Sequence, residues 1–452
     1  MKKNLGLFAF LLLLPASIAY SYELSLSECL HDGVKGSVAL RKAELGTEKM
    51  DAQVSRALRS YLPQVTASGS VTRLFMDPTM VPNYKAIFTS LATAGAVPFD
   101  PNEAMLKYPI NWNMAGDLKL TQFLYVPQVI TGIKMAKKGK EIDALAKEAT
   151  SDGIIQGLAT LYWTIVYMEE NLVVLTRSRD NLTRVQKVIS DMVAHGIAKK
   201  SDFNSMGISI ATLDAQIDQL EDQIDAQKKT LLTIMGRSPN DEITLKDRFS
   251  MENRVKQLSG SPKETVMLKL IQKQIELQDL QITLTGTERW PSIVAFASYG
   301  TQASREKFDF LSSPQDKFSD NGAVGINVTV PIFDGLSNSA AKTQARIERQ
   351  QLELDAEQEK LNIDATAANA KAILSTAQSG VLRRVETVKM AEENYSMKEA
   401  EYQEQVAPLT DLITAESNVL QARSSLIDAL YSEKKAELDL EAVLGMLHRR
   451  IE

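Results

Sequence analysis

The chain carries the same order of sequence features in its two halves, and this repeat constrains its fold more than any other feature. A strand-like segment follows a proline joint at Pro63 in the first half and at Pro291 in the second. Later anchors keep a spacing of 208 or 209 positions, and they are Thr121 with Thr329, Asp202 with Asp411, and Gly236 with Gly445. A repeat of this kind indicates two copies of one supersecondary unit.

Each copy predicts a helix, two strands around a loop, a very long helix, a turn and a further helix. The first copy covers 20–246 and the second covers 247–452. The predicted strands are 64–75, 117–125, 292–304 and 322–333, and the predicted long helices are 128–195, 202–236, 336–404 and 409–446. The first copy has extra residues within 77–113, whose Pro, Met and aromatic side chains are typical of a long surface loop.

The long helices need partners along their whole length. At 1.5 Å per residue, each uninterrupted stretch of about 70 residues would extend about 100 Å. Apolar residues recur every seven positions in three series, which are Ile210, Ile217, Ile224 and Leu231; Val381, Val388, Tyr395 and Tyr402; and Ile347, Leu354, Leu361 and Ala368. Such heptads predict coiled-coil packing, and a mainly α fold overall.

Two of the strands alternate strictly between apolar and polar residues. Residues 64–72 do so from Val65 onward, and residues 324–332 do so from Val324 onward. A closed barrel is the only sheet that satisfies its backbone inside a bilayer, and it needs about eight strands or more. Four strands per chain would therefore require several copies of the chain. A sheet of a soluble protein with one face exposed to water gives the same alternation. The sequence does not exclude this alternative at this point.

The amino terminus predicts export from the cytoplasm. Lys2 and Lys3 precede an apolar run and then small residues, as in a signal peptide covering 1–19. No later stretch reaches the eighteen or so apolar residues of a membrane-spanning helix. Without the two lysines the net charge of −6 becomes −8, which argues against a nucleic-acid partner. Cys29, the single cysteine, is predicted to be a packing residue.

Residues that could carry chemistry are scattered. The three histidines, which are His31, His195 and His448, have no ligand spacing. The sequence has no phosphate-binding loop, dinucleotide fingerprint or nucleophile elbow. We therefore expect no enzyme activity, no catalytic residue, no metal site and no cofactor.

Several short motifs together resemble the TolC-like family of outer-membrane efflux and secretion channels. They are the Leu-Pro and Trp-Pro joints between helix and strand, the VPIFDG segment at 330–335, and the paired turns at 196–202 and 405–411. The resemblance covers essentially the whole mature chain. It implies a homotrimer with a twelve-stranded barrel in the cell outer membrane of a Gram-negative bacterium, continued by a helical tunnel into the periplasm.

The resemblance also implies roles for particular residues at the turns. Tyr402 matches a gate tyrosine and Asp411 matches an aspartate of a selectivity ring. Ser201 and Asp202 match the polar pair of the other turn. A further pair, Gly196 and Ile197, matches the tip where a periplasmic adaptor docks.

Other residues depart from the family pattern. Ala407 stands where a basic gate residue can occur, and Thr414 where a second ring aspartate can. One carboxylate per chain, repeated by symmetry, still predicts three close negative charges that favour cations. Helix N-capping is the alternative for Asp202 and Asp411, and pairing of these aspartates with Lys199 or Lys200 is a further one. Gly196 is equally a candidate helix C-cap.

The function predicted from these features is a passive export conduit. The resemblance implies docking to a periplasmic adaptor and an inner-membrane transporter, in efflux or type I secretion, with contact to outer-membrane lipid. The alternative is a non-conducting periplasmic coiled-coil protein, such as an adaptor or a structural rod. An adaptor would have one hairpin and would not repeat strand pairs, so the conduit fits the sequence better. The cargo and the class of pump stay open.

Overall fold

A computed structural model of the chain describes residues 22–75, 79–80, 106–107, 111–251, 265–310 and 318–447. The predicted signal peptide and most of the predicted 77–113 loop lie outside the described residues. Seven helices are present in the described part of the chain: α1 Leu26–Gly36, α2 Val38–Arg59, α3 Pro127–Ala194, α4 Lys200–Ile234, α5 Val266–Thr287, α6 Ser337–Gln403 and α7 Leu409–Val443.

Short and long strands lie between these helices. They are β1 Tyr22–Leu24, β2 Gln64–Arg73, β3 Thr79–Met80, β4 Leu106–Lys107, β5 Trp112–Tyr125, β6 Ile243–Leu245, β7 Ser292–Arg305 and β8 Ser319–Thr329. Two strands differ from their predicted bounds by more than two residues. β5 begins at residue 112 rather than 117, and β8 ends at residue 329 rather than 333, close to Pro331, which has no amide to donate to a ladder.

The chain folds into two compact units. The first consists of the described parts of 1–49, 141–274 and 352–452, and the second of those of 50–140 and 275–351. Each unit therefore takes segments from both halves of the sequence.

The first unit has a hydrophobic core that includes the start of the described chain. β1 pairs in parallel with β6. The fully buried Tyr162 hydroxyl donates to Asp247 Oδ2 at 2.7 Å, and the Leu26 amide donates to the same oxygen at 2.8 Å. Cys29 is fully buried in this core, where burial raises the pKa of its thiol to about 12. The thiol therefore stays protonated, consistent with the packing role predicted from the sequence.

The predicted heptads differ in what they contact. The α4 series is largely buried, including Ile217, Ile224 and Leu231. On α6, Val381 is fully buried and Tyr402 is 9% exposed, whereas Ile347, Leu354 and Leu361 are 51–65% exposed. One apolar stripe of α6 thus has no partner within the described part of a single chain.

The second unit contains an antiparallel four-stranded sheet with the order β2-β5-β7-β8. Residues paired across antiparallel strands share a face, and faces alternate along each strand. The register places one apolar set on the same face: Val65, Ala67 and Val71 on β2, Met114, Leu118 and Leu120 on β5, Ala297 and Tyr299 on β7, and Val324 and Ile326 on β8. The opposite face carries mostly Ser, Thr, Asn, Asp and Lys.

The apolar face of the sheet is open to its surroundings. Val65, Leu118 and Ile326 are 49–63% exposed, and Val324 is 88% exposed. The outer strands β2 and β8 each have only one pairing partner among the described strands. None of the described helices is both long enough and apolar enough to cross a membrane.

Candidate functional site

Two turns, one from α3 to α4 and one from α6 to α7, have the same backbone geometry. The Ile197 amide donates to the carbonyl of Met192 at 2.8 Å, and the Gly196 amide donates to that of Val193 at 3.0 Å. This pair of bonds is a Schellman motif, which ends a helix with one residue at positive φ. Gly196 holds φ +74° and Gln405 holds φ +61°. Gly196 is therefore a helix C-cap residue, as one of the sequence-based alternatives proposed.

Gln405→Gly is expected to raise the free energy of unfolding by about 1 kcal/mol, because a left-handed backbone costs a residue with a Cβ about that much. The bonds of this turn are made by the backbone, from the Gln405 amide to Tyr402 at 3.0 Å and from the Val406 amide to Glu401 at 2.9 Å. Glycine would keep both. Denaturant unfolding of the purified protein, followed by circular dichroism, measures the change.

Gly196→Gln is the matched control for this prediction. A Cβ at Gly196 would meet nothing within 4 Å, so the substitution adds only the cost of the backbone conformation. We expect a loss of about 1 kcal/mol, opposite in sign to the gain at Gln405. A loss of stability in Gln405→Gly would contradict the assignment of strain to that turn.

The structure brings together Tyr402, Asp202 and Ser201 from the two turns. Tyr402 lies in a cluster with Met206 and Leu412, among other residues. Burial raises the pKa of the Tyr402 hydroxyl, and the Asp202 carboxylate raises it further. Ser201 Oγ donates to Asp202 Oδ1 at 3.3 Å. The polar groups of one turn therefore lie beside the tyrosine of the other.

Asp411 has a different neighbour. Lys398 Nζ lies 2.7 Å from Glu401 Oε2, and this partner chiefly raises the pKa of Lys398, with a smaller contribution from Asp411. Lys199 and Lys200 form no ion pair with any described residue, so the predicted alternative pairing with the aspartates is wrong. Both lysines lie at the start of α4, where their side chains are exposed.

The N-capping alternative for the two aspartates is also wrong. The N-cap residues are Lys199 for α4 and Pro408 for α7, and neither makes a side-chain capping bond. Asp202 and Asp411 are each the third residue of their helix. The sequence placed the start of α4 two residues too late. In the first turn a carboxylate is favoured by the helix dipole without capping the end.

The proposed docking tip exposes apolar side chains. Ile197 is 55% exposed and Val406, at the equivalent position of the second turn, is 74% exposed. Exposed branched residues at the end of a helical hairpin are available for contact with another apolar surface.

A buried carboxyl near these turns was missed by the sequence analysis. Glu416 on α7 is 2% exposed, and Asn181 Nδ2 donates to its Oε1 at 3.4 Å. Its Oε2 has no hydrogen-bond partner among the described residues, and neither has the buried hydroxyl of Tyr395. The available signal was its spacing, because Glu416 follows Leu412 by four positions and precedes Val419 by three, which places it on an apolar helical face.

Burial dominates the electrostatics of this carboxyl. It raises the pKa of Glu416 above the usual 4.5. The side chains of Ser178, Asn181 and Arg423 oppose the shift, and Glu399 adds to it. Burial, with a contribution from Glu416, raises the pKa of Tyr395 to about 12. Arg423 is itself engaged, because its NH2 atom lies 2.6 Å from Glu392 Oε1. The carboxylate therefore has only partial compensation for the loss of water.

Metal binding finds no support in the described ranges, because they contain no group of three or more His, Cys, Asp or Glu residues placed to hold an ion. The site consists of hydrogen-bonding groups and charges at helix ends, together with an apolar tip. Such groups can form hydrogen bonds and ion pairs or repel like charges. They lie around the turns that join the long helices.

A family model matches part of the chain. Residues 268–446 match the family model described as outer membrane efflux protein. These residues, which lie in the second half of the chain, are similar to that family. This match confirms the resemblance seen in the sequence and the predicted localisation in the outer membrane. No curated protein matches the chain by sequence.

Solved structures extend the likeness to nearly the whole chain. The outer membrane protein VceC from Vibrio cholerae aligns with a TM-score of 0.69 and 15% identity, covering 93% of this chain and 96% of VceC. The outer membrane channel CmeC of Campylobacter jejuni gives 0.73 and 15%, covering 93% of this chain and 85% of CmeC. The open state of the MtrE outer membrane channel of Neisseria gonorrhoeae gives 0.70 and 16%, covering 94% and 90%.

These alignments confirm the predicted fold class, which is mainly helical with four long strands per chain. At such low identity they speak for the fold alone. The family that residues 268–446 match is one of transport proteins and not a class of enzymes.

Proposed function

We propose that the chain is one subunit of a homotrimeric outer-membrane export channel, which performs no chemistry on its cargo. The observation that carries this proposal is the four-stranded sheet, with one exposed apolar face and two outer strands that each lack a second partner among the described strands. A long unpaired edge is a liability for a soluble protein, whereas closure with identical sheets satisfies it. Three copies would give a twelve-stranded barrel with its apolar face toward lipid.

The exposed stripe on α6 supports the same assembly. Ile347, Leu354 and Leu361 repeat every seven residues and are each more than half exposed. Heptad positions of this kind pack against another helix in a coiled coil. A second copy of the chain is the partner that would also close the barrel, so one oligomer accounts for both features.

We further propose that the chain consists of two tandem repeats, 20–246 and 247–452, and that their turns form the periplasmic end of the tunnel. The four helix ends at Gly196, Gln405, Gly236 and Gly445 share positive φ, which supports the equivalence of the two copies. Tyr402, Ser201 and Asp202 would act at the gate.

The partners of the channel would be a periplasmic adaptor, docked at Gly196 and Ile197, and an inner-membrane transporter. The exposed side chain of Ile197 supports such a contact. Both drug or metal efflux and type I secretion are compatible with this arrangement.

The test is reconstitution of the purified full chain. We expect a trimer in detergent and cation-preferring conductance in planar bilayers. Asp411→Asn should lower the cation-to-anion permeability ratio by about twofold or more, because it removes three close charges at once. Asp241→Asn, an exposed carboxylate in the turn before β6, is the control and should leave the ratio unchanged. A soluble monomer without conductance would refute the channel and favour the periplasmic rod.

A further inference from the structure

Three paired residues form the last row of the apolar face of the sheet. This row lies at the end of the strands opposite to the end that joins α2, α3 and α5. Arg73 pairs with Trp112, and Trp112 pairs with Arg305. Directly paired residues of antiparallel strands lie on the same face, so two guanidinium groups flank one indole. We name Arg73, Trp112 and Arg305 the cationic row.

The cationic row is continuous with the apolar face. The next residues on the same face, two positions along each strand, are Val71, Met114 and Ala303. On these strands the face thus changes from apolar to cationic and aromatic side chains within one step of the ladder. Thr301 on β7 and Asp320 on β8 are polar residues of the same face. In membrane barrels, aromatic residues mark the level of the lipid head groups, and the hydrocarbon band lies beside them.

Arg73 makes cation–π contacts with aromatic rings and pairs with no carboxylate of the described residues. Its Cζ lies 5.6 Å from the centre of the Trp112 ring and 5.7 Å from that of Phe75, which is 89% exposed. Phe308 packs edge-on against Trp112 at 5.1 Å. Within the described ranges Arg73 forms no ion pair, so no described carboxylate competes with a ligand for its donors.

Arg305 is partly compensated. Its Nε lies 3.6 Å from Asp309 Oδ1, a distance that allows an ion pair but not a hydrogen bond. With this carboxylate included, the cationic row carries a net charge of one positive unit. The charge lies at Arg73, and Arg305 adds a second, weaker centre.

We propose that the cationic row binds the phosphate of an anionic lipid head group, with Arg73 as the main donor and the acyl chains of that lipid against the apolar face. This inference rests on the proposed placement of the sheet in the outer membrane. Arg binds phosphate through paired, charge-assisted hydrogen bonds and is always ionised. An anionic lipid matches both neighbouring surfaces, since its phosphate meets a cation and its chains meet Val71, Met114 and Ala303. Free phosphate would match only the cationic row and not the apolar face.

The test is a titration of the purified full-length trimer in detergent with diphosphoryl lipid A, followed by native mass spectrometry. Arg73→Gln is expected to weaken lipid A binding by about fivefold or more, because one charge-assisted pair is lost. Arg305→Gln should weaken binding less, because Asp309 already engages this residue. Both side chains lie at the end of the sheet, and Arg73 is exposed there, so Arg73→Gln should not disturb folding.

Lys119→Gln is the matched control. Lys119 is a cation of the same sheet, but it pairs with Thr66 and Ser298 on the polar face. This variant should bind lipid A as the parent protein does. Equal affinity in the parent, Arg73→Gln and Arg305→Gln proteins would overturn the proposal, and so would an equal loss in Lys119→Gln.

Two further measurements separate the possible failures. Inorganic phosphate in large excess should not displace lipid A; full displacement would mean a free-phosphate site and would overturn the lipid assignment. Conductance of the same preparation in planar bilayers reports on the channel itself. A conducting trimer without dependence on Arg73 would refute this inference alone, whereas a non-conducting monomer would refute the proposed function.

Discussion

Gly236→Ala is expected to lower the free energy of unfolding by about 3 kcal/mol or more, since it combines backbone strain with a steric clash. Gly236 ends α4 at φ +71°, where a side chain is disfavoured. A Cβ at this position would also contact the carbonyl oxygen of Gly36, which is backbone and cannot rotate away. Urea or guanidinium unfolding, followed by circular dichroism, would measure the loss.

Gly445→Ala separates the two contributions. Gly445 ends α7 at φ +65°, and a Cβ there would meet nothing within 4 Å. Its substitution should therefore cost only the strain of a left-handed residue, about 1 kcal/mol. Equal losses at the two glycines would show that the close approach of Gly36 has no effect on stability.

Glu416→Gln is expected to stabilise the protein at neutral pH by about 1–3 kcal/mol, the cost of leaving a buried polar group uncompensated. The carboxylate oxygen Oε2 lacks a hydrogen-bond partner, and so does the nearby buried Tyr395 hydroxyl. An uncharged amide avoids the burial of a negative charge, and its NH2 group can donate to the Tyr395 oxygen.

The same substitution should change the pH dependence of stability. Burial raises the folded-state pKa of Glu416 above the usual 4.5, which holds in the unfolded chain. Between these two values the folded protein binds the proton and the unfolded chain does not. Stability therefore falls as pH rises through this window, and the penalty is complete above the folded-state pKa. Glu416→Gln should remove this component of the slope.

Denaturant unfolding at a series of pH values from about 4.5 to 8 would measure this component. The groups that face Glu416 are Ser178 and Asn181 on α3, Tyr395 and Glu399 on α6, and Arg423 on its own helix. Glu386→Gln, an exposed carboxyl on α6, is the control and should keep the parent slope. An unchanged slope in Glu416→Gln would show that this carboxyl ionises as freely in the folded protein as in the unfolded chain.

The long elements could be predicted because their signals are local. Helix α3 spans Pro127–Ala194 against a predicted 128–195, and β2 spans Gln64–Arg73 against a predicted 64–75. Heptads and strict alternation repeat over many residues, so an error at one position does not change the assignment. The ends of elements were less accurate: β5 begins five residues before its predicted start, where alternation is weaker.

The electrostatics of the site could not be predicted to the same extent. The matched turns led to Ser201, Asp202 and Tyr402, which the structure places together. The burial of Glu416 escaped notice because a single glutamate on a helix is normally solvated. The cationic row could not be predicted from the sequence either. Its residues come from three strands, and no local pattern defines the register between them.

The sequence by itself determined the class of fold, through heptads, alternation and a repeat that the chain carries in its local order. Only the tertiary structure decided which apolar faces are covered, that Lys199 and Pro408 rather than the two aspartates are the N-cap residues, and which cations share a face. The physical reason is that periodicity specifies how one element divides into faces, whereas burial, pairing and pKa depend on atoms brought together from distant positions in the chain.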